Sequence, residues 1–143
     1  MQLTGQCHCG NIAYTLRWEP DPIQIPARAC DCTFCTKHGA VWTSKPDGAL
    51  HVTVRDPAAV KRYAFGTRTA DFHICTECGV VPLSTCTVDG RDYAVINVNT
   101  LDNLDTSLLD HRAASFSEED VASKLARRQA NWIANVTYAQ RQD

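Results

Sequence analysis

The chain lacks an excess of charge of either sign: 14 lysines and arginines stand against 16 aspartates and glutamates in 143 residues, a formal net charge of -2. Basic residues adjoin only at Lys61-Arg62 and Arg127-Arg128, so there is no basic field and no nucleic-acid partner is expected. Long hydrophobic runs are also missing, and nothing approaches the roughly 18 to 20 apolar residues that a membrane span needs. The start, Met1-Gln2-Leu3-Thr4-Gly5-Gln6-Cys7, has no basic segment followed by an apolar run. This predicts no secretory leader and a cytoplasmic location. Repeats and low-complexity tracts are absent. What remains is an ordinary globular composition, 44% hydrophobic and 21% charged, at a length that suits one domain over 1–143.

The first two thirds read as short strands between turn signals, which predicts a mainly β fold. Asn11 to Trp18 and Leu50 to Val54 alternate apolar and polar residues as half-buried strands do. Further strands are expected at Val60 to Phe65, Asp71 to Ile74, Val80 to Cys86 and Tyr93 to Val98, the last two joined by a hairpin turn at Asp89-Gly90. The stretch from Pro20 to Pro26 reads as a surface connection. The tail differs in character. Ser115 to Asp120 carries capping residues and acids suited to a first helical turn, and Val121, Leu125 and Trp132 mark one face, which predicts a helix from about Glu118 to Trp132. Lys124, Arg127 and Arg128 are read as its solvated face.

Cysteine is what the chain has in unusual supply. Seven of its eight cysteines fall into three groups: Cys7-His8-Cys9-Gly10, Cys30-Asp31-Cys32-Thr33-Phe34-Cys35 and Cys75-Thr76-Glu77-Cys78-Gly79. Two cysteines one or two residues apart on a tight turn can occupy adjacent corners of one tetrahedral zinc ion. Glycine after the second cysteine lets the turn bend and leaves backbone N–H groups free to face the thiolates. Two pairs make one closed centre, and Cys7 with Cys9 completes Cys75 with Cys78 and leaves nothing over. The remaining Cys30, Cys32 and Cys35 supply three ligands, and an open fourth position is the mark of a zinc that does chemistry. His38, three residues after Cys35, is the candidate that would close this second centre.

Other uses of cysteine compete. A disulfide framework needs an oxidising compartment, and a redox dithiol at Cys75-Cys78 wants a βαβ setting that the pattern does not offer. Cys86, on an expected strand, reads as a small buried hydrophobe. His8 is expected to point away from any metal and His51 to face solvent. His73 is expected mainly at the surface, with hydrogen bonding beside the Cys75 pair as the alternative.

The ordered clusters Cys-x-Cys-Gly, Cys-x-Cys-x-x-Cys and Cys-x-x-Cys-Gly resemble those of the glutathione-dependent formaldehyde-activating family, which includes centromere-protein-V-like domains. Lys37-His38-Gly39-Ala40 and the run from Ile96 to Asp102 look like stretches of the same family. The resemblance covers about Leu3 to Asp102 and implies a tent-like zinc-binding β fold, here with a C-terminal helical extension over about 117–136. It also implies two zinc ions: a structural one at Cys7, Cys9, Cys75 and Cys78, and a second at Cys30, Cys32 and Cys35. The family's activity is that of a carbon–sulfur lyase, joining formaldehyde to the thiol of glutathione as S-hydroxymethylglutathione. By that resemblance Cys30, Cys32 and Cys35 are the ligands of the reactive centre, where zinc with three thiolates is a weak Lewis acid that holds and orients a small thiol. Arg62, Arg68, Arg91 and Arg112 could each pair with a substrate carboxylate, and each reads more simply as a surface arginine. The alternatives to an enzyme are a non-catalytic, zinc-stabilised protein-interaction module and a thiol-redox sensor.

Overall fold

The structure is a computed structural model, and it describes residues 1–141. Alternating apolar positions build two sheets, and the mainly β architecture follows the sequence pattern. The first is four-stranded, in the order β1 (Gln2–Gln6), β2 (Ile12–Arg17), β5 (Ala49–Val54) and β11 (Asn135–Gln140). The second has seven strands, in the order β10 (Leu109–Ala114), β3 (Ile25–Cys30), β4 (Val41–Thr43), β9 (Arg91–Asn97), β8 (Leu83–Val88), β7 (Asp71–Cys75) and β6 (Val60–Tyr63). A short helix α1 (Thr33–His38) follows β3, and helix α2 (Val121–Asn131) precedes β11.

The main core lies between the sheets. Leu3, Ile12, Leu16, Leu50 and Val52 of the first sheet meet Ile25, Leu83, Ala94 and Ile96 of the second, all at 0–1% exposure. Strand β9 runs apolar from Tyr93 to Ile96 because both its faces are covered there. Ala94 and Ile96 join that core, while Tyr93 and Val95 join a second cluster on the outer face with Cys35, Trp42, Cys86 and Trp132. The β8–β9 hairpin turns at Asp89 and Gly90, whose φ values of 52° and 77° are the positive values that a type I′ turn requires.

Several expectations are corrected. The helix starts three residues later than expected and is capped by Asp120, whose side chain accepts a hydrogen bond from the Ser123 N–H, and its first turn holds no acid. Val121 is 46% exposed and off the buried face. Pro26 belongs to β3, beyond the connecting stretch. Strands β10 and β11, which the sequence did not announce, pair in parallel with β3 and β5 respectively. The tail therefore returns to the first sheet after its helix. With no buried residue in either, both strands carry little of the alternation that marks a buried face.

The end of α2 is pinned. Ile133, fully buried, exchanges backbone hydrogen bonds of 3.0 and 2.9 Å with Ala94. The Ser44 hydroxyl donates to the Asn131 carbonyl at 2.7 Å, and Arg91 Nε donates to the Ala134 carbonyl at 2.8 Å. These anchors hold α2 against the outer face of the seven-stranded sheet. Among the described residues, no helix is long and apolar enough to cross a membrane.

Candidate metal centres and the adjoining cleft

Folding brings the expected pairs together. The Sγ atoms of Cys7, Cys9, Cys75 and Cys78 all lie within 4.8 Å of one another. Cys7 and Cys9 are 3.8 Å apart and Cys9 and Cys75 are 3.5 Å apart. A tetrahedral ion with metal–sulfur bonds of about 2.3 Å sets its sulfurs about 3.8 Å apart, so the donor set fits such an ion. Each pair sits on a turn at a strand end. Beyond β7, the Gly79 N–H closes on the Cys75 carbonyl at 2.7 Å with Gly79 at φ 80°, and the Cys75 N–H donates to the Val80 carbonyl at 3.0 Å. After β1, the Ile12 N–H donates to Cys7 Sγ at 3.3 Å.

Their surroundings differ in what they do to each thiol. Burial pushes Cys7 up to about 12. Burial also opposes the Cys78 thiolate, yet the backbone N–H groups of Cys9 and Val80, with the thiols of Cys75 and Cys7, bring Cys78 down to about 6. Holding all four as thiolates requires a cation among them.

The second cluster brings the Sγ atoms of Cys30, Cys32 and Cys35 within the same 4.8 Å limit. Cys30 ends β3, Cys32 caps α1, and Cys35 lies in that helix. Cys32 Sγ accepts from the Cys35 N–H at 3.3 Å, and Cys35 Sγ accepts from Trp42 Nε1 at 3.3 Å. The Cys35 thiol hydrogen-bonds Cys30 and draws it down to about 6, while the same contact drives Cys35 upward. His38 does not join this cluster. It is exposed, its Nδ1 lies 2.5 Å from the Phe34 carbonyl, and its ring packs on Phe34 at 4.3 Å. Among the described residues the three thiols have no fourth protein ligand.

The three-thiol cluster opens on a cleft of about 710 Å³, a volume typical of small-molecule sites. Trp42, Phe65 and Phe72 form one wall, and Phe65 and Phe72 stack at 5.7 Å. Helix α2 lines the cleft with Lys124, Arg127 and Arg128, and Trp132, which caps it, lines it as well. Here the solvated-face expectation fails: Arg128 is only 8% exposed, and Lys124 and Arg127 are half-buried. The reason is tertiary, because the pinned end of α2 turns this basic face inward. The end of β9 and the turn after it tie neighbouring segments together: Asn97 Nδ2 donates to the Val81 carbonyl at 3.1 Å, and Asn99 Nδ2 donates at 3.0 Å to the carbonyl of Gly39, which ends α1.

The remaining candidates also find their places. Cys86 is buried, and His8 and His51 are exposed as expected. His73 is 4% exposed and its Nε2 lies 2.8 Å from Thr85 Oγ1, so the surface expectation fails. Burial pushes its pKa down to about 4, which keeps the ring neutral. Arg62 lies 3.9 Å from Asp71 and Arg112 lies 2.5 Å from Asp110, while Arg91 bonds Ala134; with Arg68, all are outside the cleft lining. The arginines that reach the cleft are Arg28, Arg127 and Arg128. The basic residues at 124, 127 and 128 share a helical face, a spacing that marks a face without saying which way it turns.

A mainly β fold with two thiol clusters able to hold metal ions, one closed and one open on a cleft, defines the class. The family model of the glutathione-dependent formaldehyde-activating enzyme matches residues 2–119. The chain belongs to that family. It is also similar to a solved structure of a Rhodobacter sphaeroides protein, with 27% sequence identity and a TM-score of 0.56 over 78% of this chain and 99% of the other. A comparison with curated proteins returned no match.

Proposed function

We propose that the protein is a zinc-dependent carbon–sulfur lyase resembling S-(hydroxymethyl)glutathione synthase, acting in the cytoplasm on a glutathione-like thiol and an aldehyde such as formaldehyde. The observation that carries this reading is the asymmetry of the clusters. The four-thiol cluster adjoins the main core, whereas the three-thiol cluster opens on the cleft with no fourth protein ligand among the described residues. Cys7, Cys9, Cys75 and Cys78 would hold the structural zinc, and Cys30, Cys32 and Cys35 the second. When bound there, the second zinc supplies a site that holds a thiol as its thiolate.

The chain's own groups do the rest. The Trp42 Nε1–H and the Cys35 N–H, each 3.3 Å from a thiol sulfur, spread the negative charge of the ligand set. The aromatic wall of Phe65 and Phe72 excludes water from the aldehyde, which hydrates readily. In the reaction the substrate sulfur forms a bond to the formaldehyde carbon, the carbonyl π pair moves to oxygen, and the proton given up by the thiol ends on that oxygen. The product is S–CH2–OH, with no redox change. A closed pair of structural zincs on an interaction module would need no cleft beside one of them, which favours the enzyme.

Zinc content per chain, measured on anaerobically purified wild type and Cys32→Ser, tests the reading when followed by glutathione titration. The expected result is two zincs falling to one in a folded variant, with glutathione perturbing only the wild-type metal site and formaldehyde turnover confined to it. Zincs that both resist glutathione, or a Cys32→Ser variant that unfolds, would return the second centre to a structural role.

A further inference from the structure

We propose that Arg128, with Arg28 as a second cation, binds a carboxylate of the substrate, so that the cleft selects small thiols carrying a free carboxylate. This inference rests on the lyase reading for the location of the thiol end. Its basis is a charge imbalance built into the cleft. Four cationic side chains, Arg28, Lys124, Arg127 and Arg128, line it against one carboxylate, Asp31.

The arginines are not equivalent. Arg127 has its counter-ion: both Glu119 oxygens lie 3.0 Å from its Nε, and Phe116 packs 3.7 Å from its guanidinium carbon. Arg128 has none. It is 8% exposed, and among the described residues no carboxylate lies within 4.0 Å of it. Its Nη1 donates to Thr69 Oγ1 at 2.8 Å and to Cys86 Sγ at 3.4 Å, and Trp132 lies under it at 5.0 Å. Its Nε has no partner, and neither has the buried hydroxyl of Ser84, which lines the same cleft. A guanidinium stays charged in a protein, and a buried charge without a counter-ion is costly.

Arg28 repeats the pattern more mildly. It is half-buried, its side-chain bond is a long 3.5 Å contact to Ser44 Oγ, and burial together with the positive charges of Arg112 and Arg127 pushes its pKa down. Two underpaired guanidiniums lining one cleft call for an anion with several acceptor atoms, which a carboxylate supplies. The neutral aromatic lining of Trp42, Phe65 and Phe72 suits the aliphatic body of such a molecule. Arg128 lies beyond residue 119, where the family match ends, whereas Arg28 lies within it.

Calorimetric titration of the zinc-loaded full-length protein with three probes tests the inference: glutathione, its diethyl ester, which lacks free carboxylates, and S-methylglutathione, which lacks the thiol. The expected result is that the diester binds about 10- to 100-fold more weakly than glutathione, the range for losing a hydrogen bond to a charged group. Arg128→Gln should shrink that ratio to within about threefold. Because Arg128 is buried, Arg28→Gln is measured beside it with a thermal melt, and should narrow the ratio in a folded protein. A diester that binds wild type as tightly as glutathione overturns the inference, as does a ratio unchanged in both variants. The thiol arm reads the lyase proposal separately. S-methylglutathione matching glutathione while the diester fails would keep the carboxylate site and remove the thiol from the metal.

Discussion

The two thiol clusters use the same ligand type in opposite ways. Cys7 and Cys75 are fully buried and belong to the core between the sheets, and their turns tie the end of β1 to the end of β7. Cys30, Cys32 and Cys35 come from one continuous segment, packed against the smaller outer cluster and facing the cleft. A centre that joins distant strands is coupled to folding, because the unfolded chain cannot present its ligands together. A centre drawn from six consecutive residues keeps its ligands close even when neighbouring structure loosens. The difference teaches that ligand count and sequence separation together set how closely each centre is coupled to folding.

The sharpest way to break the comparison is Cys75→Ser. Removal of this ligand should abolish the cooperative thermal transition followed by near-ultraviolet circular dichroism, while Cys32→Ser retains it. Equal loss in both variants would mean that the two centres are equally structural. A smaller effect comes from Trp42→Phe, which removes the N–H that faces Cys35 Sγ at 3.3 Å. Chelator competition should show zinc held about 10- to 100-fold more weakly at the three-thiol centre, with the four-thiol centre unchanged. Weakening at both centres would show that the lost indole acts through general packing. The smallest effect is expected from Gly79→Ala. The new Cβ would meet nothing within 4 Å, so the cost is the strain of φ 80° alone, about 1–2 kcal/mol in denaturant unfolding. A much larger loss would show that the turn geometry itself sets the metal affinity.

Much of the fold was legible because its signals are local. The alternation in β2 and β5 and the Asp-Gly turn of the β8–β9 hairpin depend on residues a few positions apart, and each stands where expected. Strands β10 and β11 escaped because they lie at sheet edges without a fully buried side chain, where no buried face imposes a period. His73 escaped for the opposite reason: β7 carries it inward to the Thr85 hydroxyl, and one polar residue in a strand does not announce its partner. His38 had suitable spacing from Cys35, but the αL turn at Gly39 that ends α1 leaves its ring on Phe34.

By itself the sequence determined the thiol chemistry: paired cysteines on glycine-ended turns can form chelating pairs wherever the strands place them. It also limited which pairs complete a closed set. Only the tertiary structure decided what faces the open cluster. The contacts of Ser44, Ala94 and Arg91 with the end of α2 turn Arg128 into the cleft, although the same helical spacing describes a solvated face equally well. A turn is set by neighbouring residues, whereas the direction of a helix face is set by contacts with strands far away in the chain.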